Sequence, residues 1–413
     1  MINQTNIERT VLKNGIVVIT TENMVADIVS AKIFLGIGSR YEAKNQSGIS
    51  HLLAAVLTKG TEKLSSLEIA QKIESVGARL GSDTTTDYFL LSIKTVSEDF
   101  DNIFQLSGEI IRYPSFPETE IELEKRITIQ SIRSQLEQPF TVAFYQLREM
   151  MYQNHPYALS TLGTENTVSQ ITSNDIQKFH KTYFRPDNIV ISIVGKISHA
   201  KAITLVEQTY GDWQPPITTL PTLKLPTITP QPFTAKKNQE TQQSIIMLGY
   251  LAAKVNSSDY APLKLLNTYL GNGLSSRLFV ELREKRGLAY DVSAFYPTRL
   301  YTSNFTVYIG TAGENTAIAE AGLKAEIERL VTNLLSEEEL QICKNKLLGQ
   351  YALGKQTNSQ IAQLLGWYEI LNLGIDFDAK FQKNLANVTT EEIQKVASKY
   401  FIKPYISIVG QEK

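Results

Sequence analysis

Two groups of residues in this chain have the types and spacing to do chemistry, and one of them has lost most of its parts. From Gly48 to Thr61 the sequence reads GISHLLAAVLTKGT. A helix carrying two His one turn apart, with a Glu just before the second, grips zinc with its imidazoles and activates a water with the carboxylate, in the frame H-x-x-E-H. Here His51 stands first, while Ala54 and Ala55 occupy the places of the Glu and the second His. One imidazole and two methyl groups cannot build such a centre. The second group is Arg283 and Tyr290, seven residues apart in GNGLSSRLFVELREKRGLAY, Gly271 to Tyr290. A phenol can donate a hydrogen bond to a developing negative charge, and a guanidinium can hold carbonyls. An isolated pair of this kind would more simply cap helix carbonyls and pack in a core. Seven residues make two helical turns, so both side chains could share a face, although the helix is expected to end near Gly287 with Tyr290 just beyond.

The elements around these residues read as α+β. Thr10 to Thr21 predicts a hairpin turning at Asn14-Gly15. Ile28 to Leu35 reads as a strand leading into Gly36-Ile37-Gly38-Ser39-Arg40, and His51 to Lys59 as a short buried helix. Apolar residues at Leu67, Ala70, Ile73 and Val76 have helical spacing behind a Ser65/Glu68 capping box. Asp87 to Val96 alternates as a strand does, and Phe116 to Glu137 predicts a long polar helix. Gly271-Asn272-Gly273 lacks the G-x-x-x-x-G-K-[ST] pattern of a phosphate loop and is expected to be a turn before a helix.

An internal repeat organises the chain. IQKFHKTYFRPDNIVISIVG (Ile176 to Gly195) and IQKVASKYFIKPYISIVG (Ile393 to Gly410) share Ile-Gln-Lys, then Tyr-Phe, then Ile-Ser-Ile-Val-Gly. Each predicts a capped helix, with Thr172/Asp175 and Thr389/Glu392 as boxes, then a turn with Pro186 or Pro404 and a buried strand. We therefore expect two homologous domains, residues 1–213 and 241–413, each a mainly antiparallel sheet covered by helices. Residues 214–240 hold six of the 14 prolines and read as an extended linker, or as a loop packed on one domain.

Composition narrows the partners. A 413-residue chain with 42% hydrophobic and 20% charged residues is ordinary globular material, too long for one core. A net charge of -1 gives no electrostatic reason to bind nucleic acid. One cysteine, Cys343, excludes an intrachain disulfide. No run approaches the ~20 apolar residues of a membrane span, and Met1 to Thr10 shows no charged segment followed by an apolar core, so a cytoplasmic location is expected. His155, His180 and His199 lie outside the motif, and His180 falls where the second repeat has Ala397.

The Gly36 to Arg40 segment, the Gly48 to Thr61 block, the long helix, the linker and the Gly271 to Tyr290 signature together resemble the pitrilysin-like family of inverted-motif zinc metallopeptidases. That family includes insulysin and mitochondrial processing peptidase, and the length looks like its short, processing-peptidase-type subfamily. The resemblance implies paired α+β domains forming half of a clamshell around a peptide chamber. It also implies a third zinc ligand, a Glu in the long helix. Aligning Glu124 to Arg133 on that pattern puts Ser131 there, with Glu124 at a supporting acidic position. His51, Ala54, Ala55 and Ser131 thus form a degenerate zinc site, and no metal is expected on this chain. Arg283 and Tyr290 match the family's substrate-facing pair.

In some members one subunit carries the zinc motif and its partner the Arg-Tyr pair. The resemblance therefore implies a non-catalytic subunit, inactive alone, that supplies Arg283 and Tyr290 to the zinc site of a homologous partner in a heterodimeric metalloendopeptidase. Unfolded peptides are the expected substrates, bound by strand addition. A structural scaffold of the kind found in respiratory complexes, and a homodimeric, non-hydrolytic peptide chamber, remain as alternatives.

Overall fold

The computed structural model describes residues 7–411. Its first six residues, part of the stretch read for a leader segment, lie outside the described residues. The chain forms two α+β units, and each contains a sheet built from one half of the sequence.

In the first unit the alternating segments become β1 (Ile7–Val11), β2 (Val17–Glu22), β3 (Ile28–Leu35), β4 (Arg79–Thr84), β5 (Phe89–Val96) and β6 (Ile189–Gly195), in spatial order β1-β2-β6-β3-β5-β4. The hairpin expected at Asn14-Gly15 joins β1 to β2, with Val11 opposite Val17. Gly15 takes φ +96°, and a Cβ there would also lie 3.0 Å from Asp187 Cα, so glycine is required twice over. The repeat block IVISIVG is β6, buried at every position because it lies between β2 and β3 with both faces covered.

The second unit holds β7 (Thr234–Asn238), β8 (Gln243–Ala252), β9 (Asp291–Phe295), β10 (Ser303–Ala312) and β11 (Tyr405–Gly410), ordered β7-β11-β8-β10-β9. With β1 set aside, the two orders coincide strand for strand. Each sheet also has one parallel pair at the same place, β2 with β6 and β7 with β11. The duplication read from one helix and one strand therefore extends over the whole sheet. Residues 214–233 carry no helix or strand, and the last part of the proline-rich stretch enters the second sheet as β7.

The helices, in chain order, are α1 (Ile49–Val56), α2 (Ser66–Glu74), α3 (Phe100–Arg112), α4 (Glu118–Glu137), α5 (Pro139–Tyr152), α6 (Glu165–Gln170), α7 (Ser173–Tyr183), α8 (His199–Tyr210), α9 (Tyr260–Gly271), α10 (Thr316–Thr332), α11 (Glu337–Leu353), α12 (Asn358–Ile370), α13 (Phe377–Asn387) and α14 (Thr390–Tyr400). All three capping boxes expected from sequence form, at Ser65/Glu68, Thr172/Asp175 and Thr389/Glu392.

Each unit takes one helix from the other half of the sequence. Unit one comprises Met1–Ile132, Ser160–Lys224 and Ala352–Phe377, so it includes α12, which packs on β3 and β6. Unit two comprises Arg133–Leu159, Leu225–Tyr351 and Asp378–Lys413, so it includes α5, which packs on the matching strands β8 and β11. Small residues make these seats. A Cβ on Gly366 of α12 would overlap the Phe34 ring of β3, and one on Gly249 of β8 would lie 2.6 Å from Met151 Sδ of α5. Asn358 then donates to the Ile28 carbonyl (2.9 Å), Arg9 pairs with Glu369 (2.7 Å), and Ser407 of β11 donates to Gln146 of α5 (2.7 Å). Among the described residues no helix is long and apolar enough to cross a membrane.

Candidate functional site

The degenerate motif lies on α1. The helix starts at Gly48 with φ +98°, where a Cβ would come within 2.6 Å of the Leu162 carbonyl oxygen. The buried Glu42 carboxyl accepts from the amides of Gly48 (2.8 Å) and Ser50 (3.0 Å) and from the Ser50 hydroxyl, which occupies free donors at the helix start. Burial pushes Glu42 up to about 7, against these hydrogen bonds, which pull the other way. Leu52, Leu53 and Val56 enter the core, leaving His51 and Ala55 half-buried on one face, a turn apart.

That face does not fit a zinc ion. Ala55 has no donor atom, and Ala54 is 5% exposed, its carbonyl accepting from Ser82 Oγ of β4 (2.6 Å). Ser131 Oγ donates to the Ile127 carbonyl of its own helix (2.9 Å). Glu124 faces Lys59 at 3.2 Å. Desolvation holds the His51 pKa below the usual histidine value, with the carboxylates of Asp83 and Glu124 opposing it. Among the described residues no group of three or more His, Cys, Asp or Glu is arranged to hold a metal ion. The other histidines serve the fold. His155 Nδ1 accepts from the Tyr157 amide (3.1 Å), His180 Nε2 bonds the Ile111 carbonyl oxygen (2.8 Å), and His199 lies between the hydroxyls of Thr10 and Thr20.

The Arg-Tyr signature is in the second unit, between α9 and β9. Gly271 ends α9, and Gly273, at φ +77°, turns the chain back. The helix that follows is short and wide: Phe279–Glu284 is a π-helix, in which the Lys285 amide bonds the Val280 carbonyl. The helix closes with Leu288 N donating to Leu282 O, a wide bond, and Gly287 N to Arg283 O at α spacing, Gly287 taking φ +62°. Two turns with a shared face do not form, and the expected helix end near Gly287, with Tyr290 just beyond, is close to what the structure has. Helix stops at Glu284, and Tyr290 stands outside it, directly before β9.

What joins the pair is the main chain. Arg283 Nη1 donates to the Tyr290 carbonyl (2.9 Å), its guanidinium 5.0 Å from the Phe279 ring centroid. Tyr290 N donates to Gly310 O of β10 (2.9 Å). Both main-chain polar groups of Tyr290 are thus tied, while the residue is 59% exposed and presents its ring to solvent. The core-packed alternative for Tyr290 is excluded by that exposure. Sequence reasoning missed Phe279 and Glu326, the buried acid beneath this helix, because neither has a local pattern that marks it. It also missed Asp83, which β4 delivers from outside the motif.

Comparisons with known proteins agree with this architecture. Residues 17–165 match the family model "Insulinase (Peptidase family M16)", and residues 170–347 match "Peptidase M16 inactive domain". The uncharacterized zinc protease YmxG of Bacillus subtilis is 27% identical over 406 residues, covering 97% of each chain. An uncharacterized zinc protease of Rickettsia felis is 26% identical over 402 residues, covering 94% of each. The crystal structure of a Helicobacter pylori protease superposes with a TM-score of 0.92 at 22% identity, covering 98% of this chain and 99% of that one. A peptidase M16 inactive domain from Pseudomonas fluorescens gives 0.92 at 23% identity, covering 99% of each. At these identities the structural likenesses speak for the fold.

Proposed function

The chain belongs to the M16 peptidase family, and on that premise we propose that it is the non-catalytic subunit of a two-chain zinc peptidase acting on unfolded peptides. One contrast carries the reading. The positions of metal chemistry hold methyl groups on α1 and, on α4, a serine bonded to its own helix, whereas Tyr290 is held at both main-chain groups with its ring exposed.

A homologous partner with an intact H-x-x-E-H motif supplies the zinc, the attacking water and the general base. This chain supplies Tyr290, whose hydroxyl donates to the oxyanion as the peptide carbonyl becomes tetrahedral, and Arg283, which fixes the Tyr290 main chain. A preorganised donor of this kind is worth roughly 2.7–4 kcal/mol of transition-state stabilisation. The exposure of Tyr290 supports this reading over that of a pure scaffold, which has no use for an exposed, backbone-anchored phenol beside an arginine.

Co-purification and metal analysis test the proposal together. The chain alone should contain no stoichiometric zinc and cleave no unstructured peptide. With a similar-sized partner bearing the intact motif, one zinc per pair and peptide cleavage are expected. Stoichiometric zinc with activity in the isolated chain would overturn it.

A further inference from the structure

The helix that carries Arg283 has only six residues in its π-turn, far below the ~12–15 at which an isolated helix holds itself. Its placement must come from what it docks against, and beside β9 one such surface is α10. Leu282, fully buried, fits the notch left by Gly322, where a Cβ would lie 2.8 Å from Leu282 Cδ2 and 3.6 Å from Arg286 Nη1. One turn further along α10 stands Glu326, only 4% exposed. Its Oε2 accepts from Arg277 Nε at 2.7 Å, and its Oε1 lies 3.8 Å from Arg286 Nη2.

Arg277 precedes the π-turn and Arg286 follows it, so one buried carboxylate grips both ends. Arg277 also pairs with Glu281 inside the turn (2.9 Å), and Lys285 with the same carboxylate (2.7 Å). The line of support continues through the guanidinium of Arg283, near the Phe279 ring, to the Tyr290 carbonyl. A buried acid clasped by two arginines fixes position more strictly than an apolar contact, because displacing the helix would strand a desolvated charge.

We infer that Glu326 is a positioning residue: it sets the register of the π-helix on α10 and through it the placement of Arg283 and Tyr290. Its role for turnover rests on the two-chain reading above; its role in holding the helix does not. The experiment therefore has two readouts. In the purified full-length chain, amide hydrogen exchange is compared for the parent and Glu326→Gln, which removes the charge at nearly constant shape. Residues 277–290 are expected to exchange about tenfold faster, with β8 and β10 unchanged. In the reconstituted pair, the same variant should lower kcat about tenfold and leave KM within about twofold, as loss of aim at a transition state does. Should Glu326→Gln fail to fold, Arg286→Gln at the more exposed arm is expected to give the same local exchange in weaker form. Unchanged exchange at 277–290, or faster exchange spread evenly over the chain, would overturn the inference. If exchange rises locally while Tyr290→Phe leaves turnover unchanged, the clamp stands and the functional reading falls.

Discussion

Glu42 is buried beneath the start of α1 and keeps its proton to about pH 7, whereas an unfolded chain releases it near the ordinary value of 4.5. Between those values the folded state binds the extra proton, so this residue's contribution to stability falls as pH rises. His180 works the other way. Burial beside the Phe116 and Phe184 rings lowers it to about 4 from an ordinary value of 6.5, against the Ile111 carbonyl bond, which raises it, so between them the unfolded state binds the extra proton and stability rises with pH. Over about pH 4.5–6.5 the two slopes oppose each other, each near 1.4 kcal/mol per pH unit at most. Measured against the parent by urea unfolding, Glu42→Gln should gain stability with rising pH in this interval and His180→Phe should lose it. Slopes of the same sign would contradict these assignments. His51 is expected to be a spectator: His51→Ala should leave the turnover of a reconstituted pair within about twofold. At this scale the sequence was partly readable. The residues Ala54 and Ala55 in the motif frame and the Arg283-Tyr290 spacing could be seen because such positions are local, whereas Ser131 came only from the family resemblance. That Arg283 holds the Tyr290 carbonyl could not, because a π-turn widens the helix and no residue pattern announces it. Glu42 lacked a signal too, its partners being amides and a hydroxyl.

At the scale of elements the two borrowed helices decide what can fold alone. A fragment of residues 1–213 contains every strand of the first sheet but lacks α12, leaving the β3 and β6 surface around Phe34 and Ser192 uncovered. We expect that fragment to show no cooperative thermal transition by near-ultraviolet circular dichroism; a sharp transition would contradict the dependence on α12. The seats themselves can be tested in the intact chain. Gly366→Val and Gly249→Val each force a side chain into a closed contact and should cost about 1–3 kcal/mol in urea unfolding, whereas Gly349→Val, with nothing within 4 Å of its Cβ, should cost far less. Hairpin, capping boxes and repeat strands were legible because they rest on local chemistry: a φ-positive glycine, a side chain three residues from an amide, an unbroken apolar run. The destinations of α5 and α12 were not. Their apolar faces show that they are covered, and nothing in a helical period says by which sheet.

For the whole molecule, on the proposed reading the duplication explains how one chain can lose one chemistry and keep another. Two sheets of matching order and matching parallel pairs carry two separate stations: α1 in the first unit and the π-helix in the second. Substitutions at Ala54, Ala55 and Ser131 alter one station and leave the other intact. On the proposed reading, chelation should abolish activity of the two-chain peptidase without unfolding this subunit, whose fold contains no metal ligand set among the described residues. A fall in the melting temperature of the isolated chain on adding a chelator would argue otherwise. The most direct test of the central claim is the turnover of the reconstituted pair carrying Tyr290→Phe. With zinc content and peptide affinity unchanged, kcat should fall about 100-fold, the loss of one oxyanion donor; parental turnover in that variant would contradict the account.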